Sequence, residues 1–366
     1  MREYLQFYID GRWVDPAHPR TAEVVNPATE AVSGTISLGS AADVELAVAA
    51  ARRAFASWSL TTREQRLDLL RAIQAEYARR QPELGEAITE EMGAPASLAN
   101  GFHVGLGAGH LQTAIEILKD YRFEEQRGAT MIAREPIGVC ALITPWNWPM
   151  NQTCVKIFPA LATGCTMILK PPQLAPYSAQ ILAEILDAAG VPAGVFNMIQ
   201  GAGSVIGTAL STHPDVDMVS FTGSEPVGVQ ISRDAAQTVK RVGLELGGKS
   251  PFIVLDDDDL TANVTGATAG MMGNSGQTCS AGRCGGSTTG DAVIGGDVDA
   301  TSSNPCPTGQ VLYYGKCKPI GTTDTGSTSS SGCQAGAGNG GFAGLLPFAL
   351  ALLALGVRRR TGRRPA

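Results

Sequence analysis

Val139-Cys140-Ala141-Leu142-Ile143-Thr144 opens a stretch in which short apolar runs alternate with helical patterns, and that alternation decides the fold. Strand candidates recur at 139–144, 166–170, 195–199, 218–222 and 242–246, with three- and four-residue apolar spacing between them at 152–162, 178–189, 204–212 and 226–237. Strand, helix, strand repeated in this way implies right-handed crossovers and a doubly wound parallel sheet, so the fold class is α/β. Ligands of such sheets sit at the carboxyl ends of the strands.

Outward from that stretch, residues 7–14 read as two short strands around Asp10-Gly11, a strong hairpin signal. Residues 41–58, 62–80, 82–92 and 96–118 carry amphipathic helical spacing, and 121–135 alternates around Gly128 like an exposed hairpin. On the other side, 252–255 reads as a strand and Asp259 as the N-cap of a helix running toward Gly273. The four carboxylates at 256–259 are read as a solvated loop, and no metal site is expected.

Composition divides the chain near Arg283. All His, Trp and Glu lie at or before Glu245, while the last eighty or so residues are Gly-, Ser- and Thr-rich. A net charge of −6 argues against a nucleic-acid partner. The start, Met1-Arg2-Glu3-Tyr4-Leu5-Gln6, has no apolar run after a basic residue, so a cytoplasmic address is expected for the first part. Cys140, Cys154 and Cys165 fall in apolar patterns and read as inert buried thiols. Cys284, Cys306, Cys317 and Cys333 match no zinc spacing and read as disulfide formers after export.

Five motifs carry a resemblance: Pro145-Trp146-Asn147-Trp148-Pro149, Leu169-Lys170-Pro171-Pro172, Phe221-Thr222-Gly223-Ser224, Glu245-Leu246-Gly247-Gly248-Lys249 and Gly276-Gln277-Thr278-Cys279. Residues 1 to about 282 resemble the aldehyde dehydrogenase superfamily in the order and spacing of these motifs. The resemblance implies a Rossmann-like cofactor domain and NAD(P)-dependent oxidation of a small-molecule aldehyde to a carboxylate. Cys279 would be the nucleophile, since a thiolate makes the carbonyl carbon tetrahedral and later carries the acyl group. Asn147 and the backbone N–H of Cys279 would hold the oxyanion, and Glu245 would activate the hydrolytic water, a role that partial burial favours. The loop 273–279 is Gly-rich and polar, unlike a core.

The same resemblance places NAD or NADP against Ile143, Trp146, Lys170, Gln173, Gly223 and Ser224. Gly223-Ser224 opens a helix, where backbone N–H groups suit a pyrophosphate. Gly201-Ala202-Gly203 with Gly207 imitates a dinucleotide fingerprint at the wrong spacing. Gln173 stands where NAD-preferring members often have Glu, and a neutral side chain there removes repulsion toward a 2′-phosphate, so NADP should be tolerated.

The domain organisation read from these patterns is a cofactor domain over 1–245 with an oligomerisation hairpin at about 121–136, the start of a truncated catalytic domain over 246–284, a disordered linker over 285–341, and an apolar helix with an Arg cluster over 342–366. Family members homo-oligomerise through a final strand that is not visible after Cys279, which leaves the hairpin edge unpartnered and activity impaired. Cys306 and Cys317 flank 311–314, a candidate disulfide-closed hairpin. Residues 342–357 form an uncharged run before Arg358, and as a helix they span about 24 Å, short for a bilayer core of about 30 Å. Together with Gly332-Cys333 and the arginines this run resembles a myxobacterial sorting tail, implying membrane contact and surface anchoring. That address conflicts with the cytoplasmic one, which points to an unnatural join near Arg283 and leaves a noncatalytic surface-anchored protein as the alternative to an enzyme.

Overall fold

The computed structural model describes residues 1–248 and, of the remainder, the backbone of five short strands. The chain begins with β1 (Arg2–Tyr4), β2 (Phe7–Ile9), β3 (Arg12–Val14), β4 (Thr21–Val25) and β5 (Val32–Ser37). Asp10 and Gly11 both have left-handed φ, 56° and 75°, which matches the twist a two-residue hairpin needs between β2 and β3. Three helical segments follow: α1 (Ala41–Trp58), α2 (Arg63–Met92), and α3 (Ala96–Leu98) continuing through a π turn into α4 (Val104–Asp120).

Helix α1 lies where the apolar spacing predicts it. Helix α2 departs from expectation, because the sequence reads as two helices broken at Pro82 and the structure has one. A proline inside a helix costs about 3 kcal/mol. Leu67, Leu70, Ile73 and Tyr77 before it and Leu84 and Ile88 after it are buried in one core, and at roughly 1.5–3 kcal/mol each their burial outweighs that cost. Thr62 and Gln65 close the helix start reciprocally, at 3.2 and 2.8 Å, and Gly93 ends it in the left-handed region.

The hairpin β6 (Glu124–Arg127) and β7 (Thr130–Glu135) leads into the alternating stretch. That stretch comprises β8 (Val139–Ile143), α5 (Pro149–Thr163), β9 (Thr166–Lys170), α6 (Tyr177–Ala188), β10 (Phe196–Met198), a π turn (Gly203–Gly207) into α7 (Thr208–Thr212), β11 (Met218–Gly223), α8 (Glu225–Ala236) and β12 (Arg241–Leu246). Among the described residues they build a seven-stranded sheet in the order β12-β11-β8-β9-β10-β2-β3, with its first five strands parallel. The doubly wound reading is visible residue by residue. Cys140 and Leu142 point into one core with α2, α4, α5 and α6, whereas Val139, Ala141 and Ile143 point into the other with α1, α7 and α8. The chain leaves β10 to place β11 on the far side of β8, so the direction of winding reverses between β8 and β11.

Glu91 of α2 ties two helices of one face together. It is buried and accepts hydrogen bonds at the start of α6 from the Tyr177 and Ser178 amides and from Ser178 Oγ. Burial pushes its carboxyl up to about 7 against the pull of those donors.

Five strands lie beyond residue 248: β13 (Thr278–Ser280), β14 (Arg283–Gly285), β15 (Gln310–Tyr313), β16 (Lys316–Pro319) and β17 (Gly356–Arg360). The chain divides into two compact units, Met1–Ser275 with Gly344–Ala366, and Gly276–Ala343. Several expectations change here. Cys279 lies on a strand, not a loop, and Thr278–Ser280 pairs antiparallel with Arg283–Gly285 so that Cys279 stands opposite Cys284. The hairpin expected around 311–314 is present, since β15 and β16 pair antiparallel inside the stretch otherwise read as linker; the Cys306 end of the expected disulfide lies outside the described residues.

The tail also differs. Arg358, Arg359 and Arg360 of the expected membrane-proximal cluster belong to β17, which pairs antiparallel with β7, Arg358 opposite Ala133, while Arg363 and Arg364 lie outside the described residues. An exposed strand edge carries unpaired N–H and C=O groups, and the tail satisfies them, so the β7 edge is not left open. Residues 342–355, the body of the expected apolar helix, lie outside the described residues, as do the 252–255 strand and Asp259. Among the described residues no helix is long and apolar enough to cross a membrane.

Candidate active site

The carboxyl ends of β8, β9 and β11 open onto one cleft of about 590 Å³, at the point where the winding reverses. Ile143, Trp146, Lys170, Gln173 and Gly223 all line it. Ser224 is not among the lining residues; it forms the N-cap of α8 immediately behind Gly223, without a side-chain cap, which leaves the helix's first amides free for an anion. A Cβ at Gly223 would collide with the Phe221 ring, so only glycine keeps this turn close to the sheet. Gly203 and Gly207 also line the cleft, as one wall of a slot and not as a phosphate fingerprint.

The polar groups at the strand ends suit a hydroxyl-rich ligand. Lys170 is 6% exposed at the end of β9, with no ion-pair partner among the described residues, and burial lowers its pKa to about 8. An ammonium in that state gains from an incoming anion or hydroxyl. The buried hydroxyls of Thr144 and Thr222, at the ends of β8 and β11, also have no hydrogen-bond partner. Gln173 is half-buried beside Lys170 and Trp146 is exposed at the mouth. These orphaned groups, set around a free helix start, fit a dinucleotide.

Asn147 sits on the exposed turn between β8 and α5. Aromatic contacts that sequence reading overlooked hold this turn: Trp148 stacks on buried His103, with ring centroids 4.3 Å apart, and meets Phe102 edge-on at 5.5 Å. His110 Nε2 lies 2.7 Å from Asn151 Oδ1 one turn further on. Only the wide sequence separation of 102–110 from 147–151 hid this cluster.

Glu245 ends β12 opposite Thr222 of β11. It is exposed, not half-buried as expected, on the edge strand of the seven-stranded sheet of the described residues. Lys249 of the same motif lies outside the described residues. A second lysine, overlooked in the sequence, bears on this end of the sheet. Lys156 of α5 is 2% exposed and donates to Ser220 Oγ at 2.9 Å. Burial lowers its pKa to about 8, opposed by the charge of Glu245. A helical Lys between apolar neighbours gives no signal until the sheet brings Ser220 beneath it. Cys279 is described by its backbone alone and belongs to the other compact unit.

Sheet and cleft together place the chain in an α/β class of protein: a parallel sheet that reverses its winding, with a glycine-walled cleft at the carboxyl ends of its strands. The Aldehyde dehydrogenase family sequence pattern matches residues 13–284, and the chain belongs to that family. It is 55% identical over 282 residues to a 3-succinoylsemialdehyde-pyridine dehydrogenase of a Pseudomonas species, covering 77% of this chain and 59% of that protein. The chain thus spans about three fifths of the length of the curated relatives it matches. Among solved structures it is similar to an aldehyde dehydrogenase from Pseudomonas syringae, a cysteine-to-alanine variant with NAD+ and octanal, at 50% identity and TM-score 0.72 over 75% of this chain and 57% of that one. It is also similar to betaine aldehyde dehydrogenase from Staphylococcus aureus with NAD+, at 37% identity and TM-score 0.69 over 71% and 53% of the two chains.

Proposed function

We propose that this chain carries the dinucleotide-binding half and the nucleophile of an NAD(P)-dependent aldehyde dehydrogenase. The observation that carries the reading is the cleft, which gathers Ile143, Trp146, Lys170, Gln173 and Gly223 from separate motifs around orphaned polar groups. Relatives crystallised with NAD+ support the cofactor, and the octanal complex supports an apolar aldehyde as substrate.

In this reading Cys279 adds as thiolate to the aldehyde carbon, and the Asn147 side-chain amide with the Cys279 amide stabilises the oxyanion of the thiohemiacetal. When bound, NAD+ or NADP+ supplies the hydride acceptor. Loss of hydride leaves a thioester on Cys279. Glu245 removes a proton from water as it attacks that thioester, which releases carboxylate and returns the thiolate. The turn carrying Asn147 is fixed by Trp148 and His103, so the donor would be in place before the substrate arrives. Neutral Gln173 beside Lys170 admits a 2′-phosphate.

Turnover is proposed to be weak, because the family match ends at residue 284 and the similarity covers 59% of the Pseudomonas dehydrogenase. Binding and chemistry therefore need separate readouts on the full chain. NADH and NADPH titrations followed by cofactor fluorescence should both saturate. Single-turnover formation of reduced cofactor from octanal should vanish in Cys279→Ser while binding persists. Absence of binding, or reduced cofactor formed equally by Cys279→Ser, would sink the reading; saturation by NADH alone would sink its NADP part.

A further inference from the structure

The inner end of the cleft holds a carboxylate that the cofactor reading does not use. Asp234 of α8 lines the cavity and is 8% exposed. Gln230 Nε2 donates to its Oδ1 at 2.8 Å. Its Oδ2 has Ser211 Oγ at 3.3 Å, but the single proton of that hydroxyl has a nearer acceptor in the Gly207 carbonyl at 2.9 Å. Asp234 Oδ2 therefore faces the described surroundings with no donor committed to it. A buried carboxylate oxygen in that condition is unfavourable until a ligand N–H or O–H reaches it.

The shape of the slot narrows the choice of donor. One wall carries Gly203, Gly207 and Ser211 at four-residue intervals, and the other carries Val227, Ile231 and Asp234 of α8, also one helical face. A Cβ at Gly203 would meet nothing within 4 Å and one at Gly207 would approach only Ile143 Cδ1 at 3.8 Å, so this wall is flat and open. A glycine wall facing apolar Val227 and Ile231 suits a planar ring in its chemistry. Asp234 lies ten residues from Ser224, about 15 Å along the helix, with side chains leaning back toward the N-terminus. A dinucleotide whose pyrophosphate rests at Gly223-Ser224 would send its purine down this slot toward Oδ2.

We infer that Asp234 reads the purine, accepting a hydrogen bond from a 6-amino group at Oδ2, so that the cleft selects adenine over a 6-oxo purine. This rests on the dinucleotide reading above. A 6-oxo purine would set a carbonyl oxygen against the carboxylate, which repels it and leaves Oδ2 unpaired. The test is fluorescence titration of the full chain with NADH and with reduced nicotinamide hypoxanthine dinucleotide, for the wild type and Asp234→Asn. The wild type should prefer NADH by about tenfold to a hundredfold. Asparagine can turn its amide to donate to a 6-oxo group, so in Asp234→Asn the two should bind within about threefold of each other. A wild type without preference, or a variant that keeps the wild-type ratio, overturns this inference alone. A folded wild type that binds neither dinucleotide overturns it together with the cofactor reading. Where Asp234→Asn fails to fold, Asp234→Ser takes its place: its hydroxyl can donate or accept, so the wild-type preference should again collapse to within about threefold, and a kept preference overturns the inference.

Discussion

The seven-stranded sheet and the small sheet of β6, β7 and β17 are built on different forces. In the first, β8 and β9 are buried along their whole length, and their apolar residues divide between two cores. In the second, β6 reads Glu-Glu-Gln-Arg and β7 is exposed or half-buried throughout, so its strands cohere through the backbone ladder. Side-chain burial dictates the first sheet and merely permits the second. The cleft, set on the first, should accordingly be sensitive to the cores and indifferent to the tail.

The heaviest test of that contrast is Glu91. Three donors at the start of α6 converge on its buried carboxylate, so Glu91→Ala leaves buried N–H groups unpaired and unties α2 from α6. Unfolding in denaturant should show a loss of about 3 kcal/mol, with Glu91→Gln losing less because it keeps an acceptor. Its pKa rises from the ordinary 4.5 to about 7, so the folded chain holds this proton more tightly than the unfolded one. Its contribution to stability therefore falls as pH rises through that window. A loss below about 1 kcal/mol in Glu91→Ala would show that the helices need no such anchor.

Lys170 tests the cleft itself, at about tenfold in affinity. Unliganded, it is depressed to about 8 by burial, and a nearby anion or ribose oxygen favours its charged form. Above pH 8 the ammonium must regain a proton to bind, so dinucleotide affinity should fall, by up to about tenfold per pH unit. Lys170→Gln should weaken binding about tenfold at pH 7 and flatten the profile. Lys156 titrates in the same window, so the readout is the difference between wild type and variant. An unchanged slope in Lys170→Gln would move the titrating group elsewhere.

Most of the first sheet was legible because its physics is written locally. Asp10-Gly11 announces its turn, and 139–144, 166–170 and 218–222 announce strands by continuous apolar character. The cleft residues were legible as motif positions, although nothing in the sequence alone brings Lys170 to Gly223. What stayed hidden depends on distant partners. Pro82 reads as a break because its compensation is the packing of a whole stripe. Lys156 and the Trp148-His103 stack become visible only once the elements meet, and the place of Glu245 on an edge strand of the described sheet is likewise fixed by the strand order. The Arg358 to Arg360 cluster invites an electrostatic reading, whereas its strand is specified by an available edge on β7.

That last point gives the smallest and most local expected effect. Along an antiparallel strand successive N–H groups alternate between partner and outside, so Val357 and Arg358 cannot both donate to β7. Proline removes the donor. Of Val357→Pro and Arg358→Pro, therefore, one should speed hydrogen exchange at the β7 amides that face β17 and the other should do so far less. The β7 amides that face β6 should keep their protection in both, since the Glu124–Arg127 pairing is untouched. Because the described pairing of β17 is with β7, whose residues do not line the cleft, NADH affinity should stay within about twofold, and global stability within about 0.5 kcal/mol. Equal exchange at β7 in the wild type and both variants would remove β17 from the sheet. A marked loss of NADH affinity in either would mean that the two sheets are coupled after all, and that the tail supports the cleft through the chain between β7 and β8.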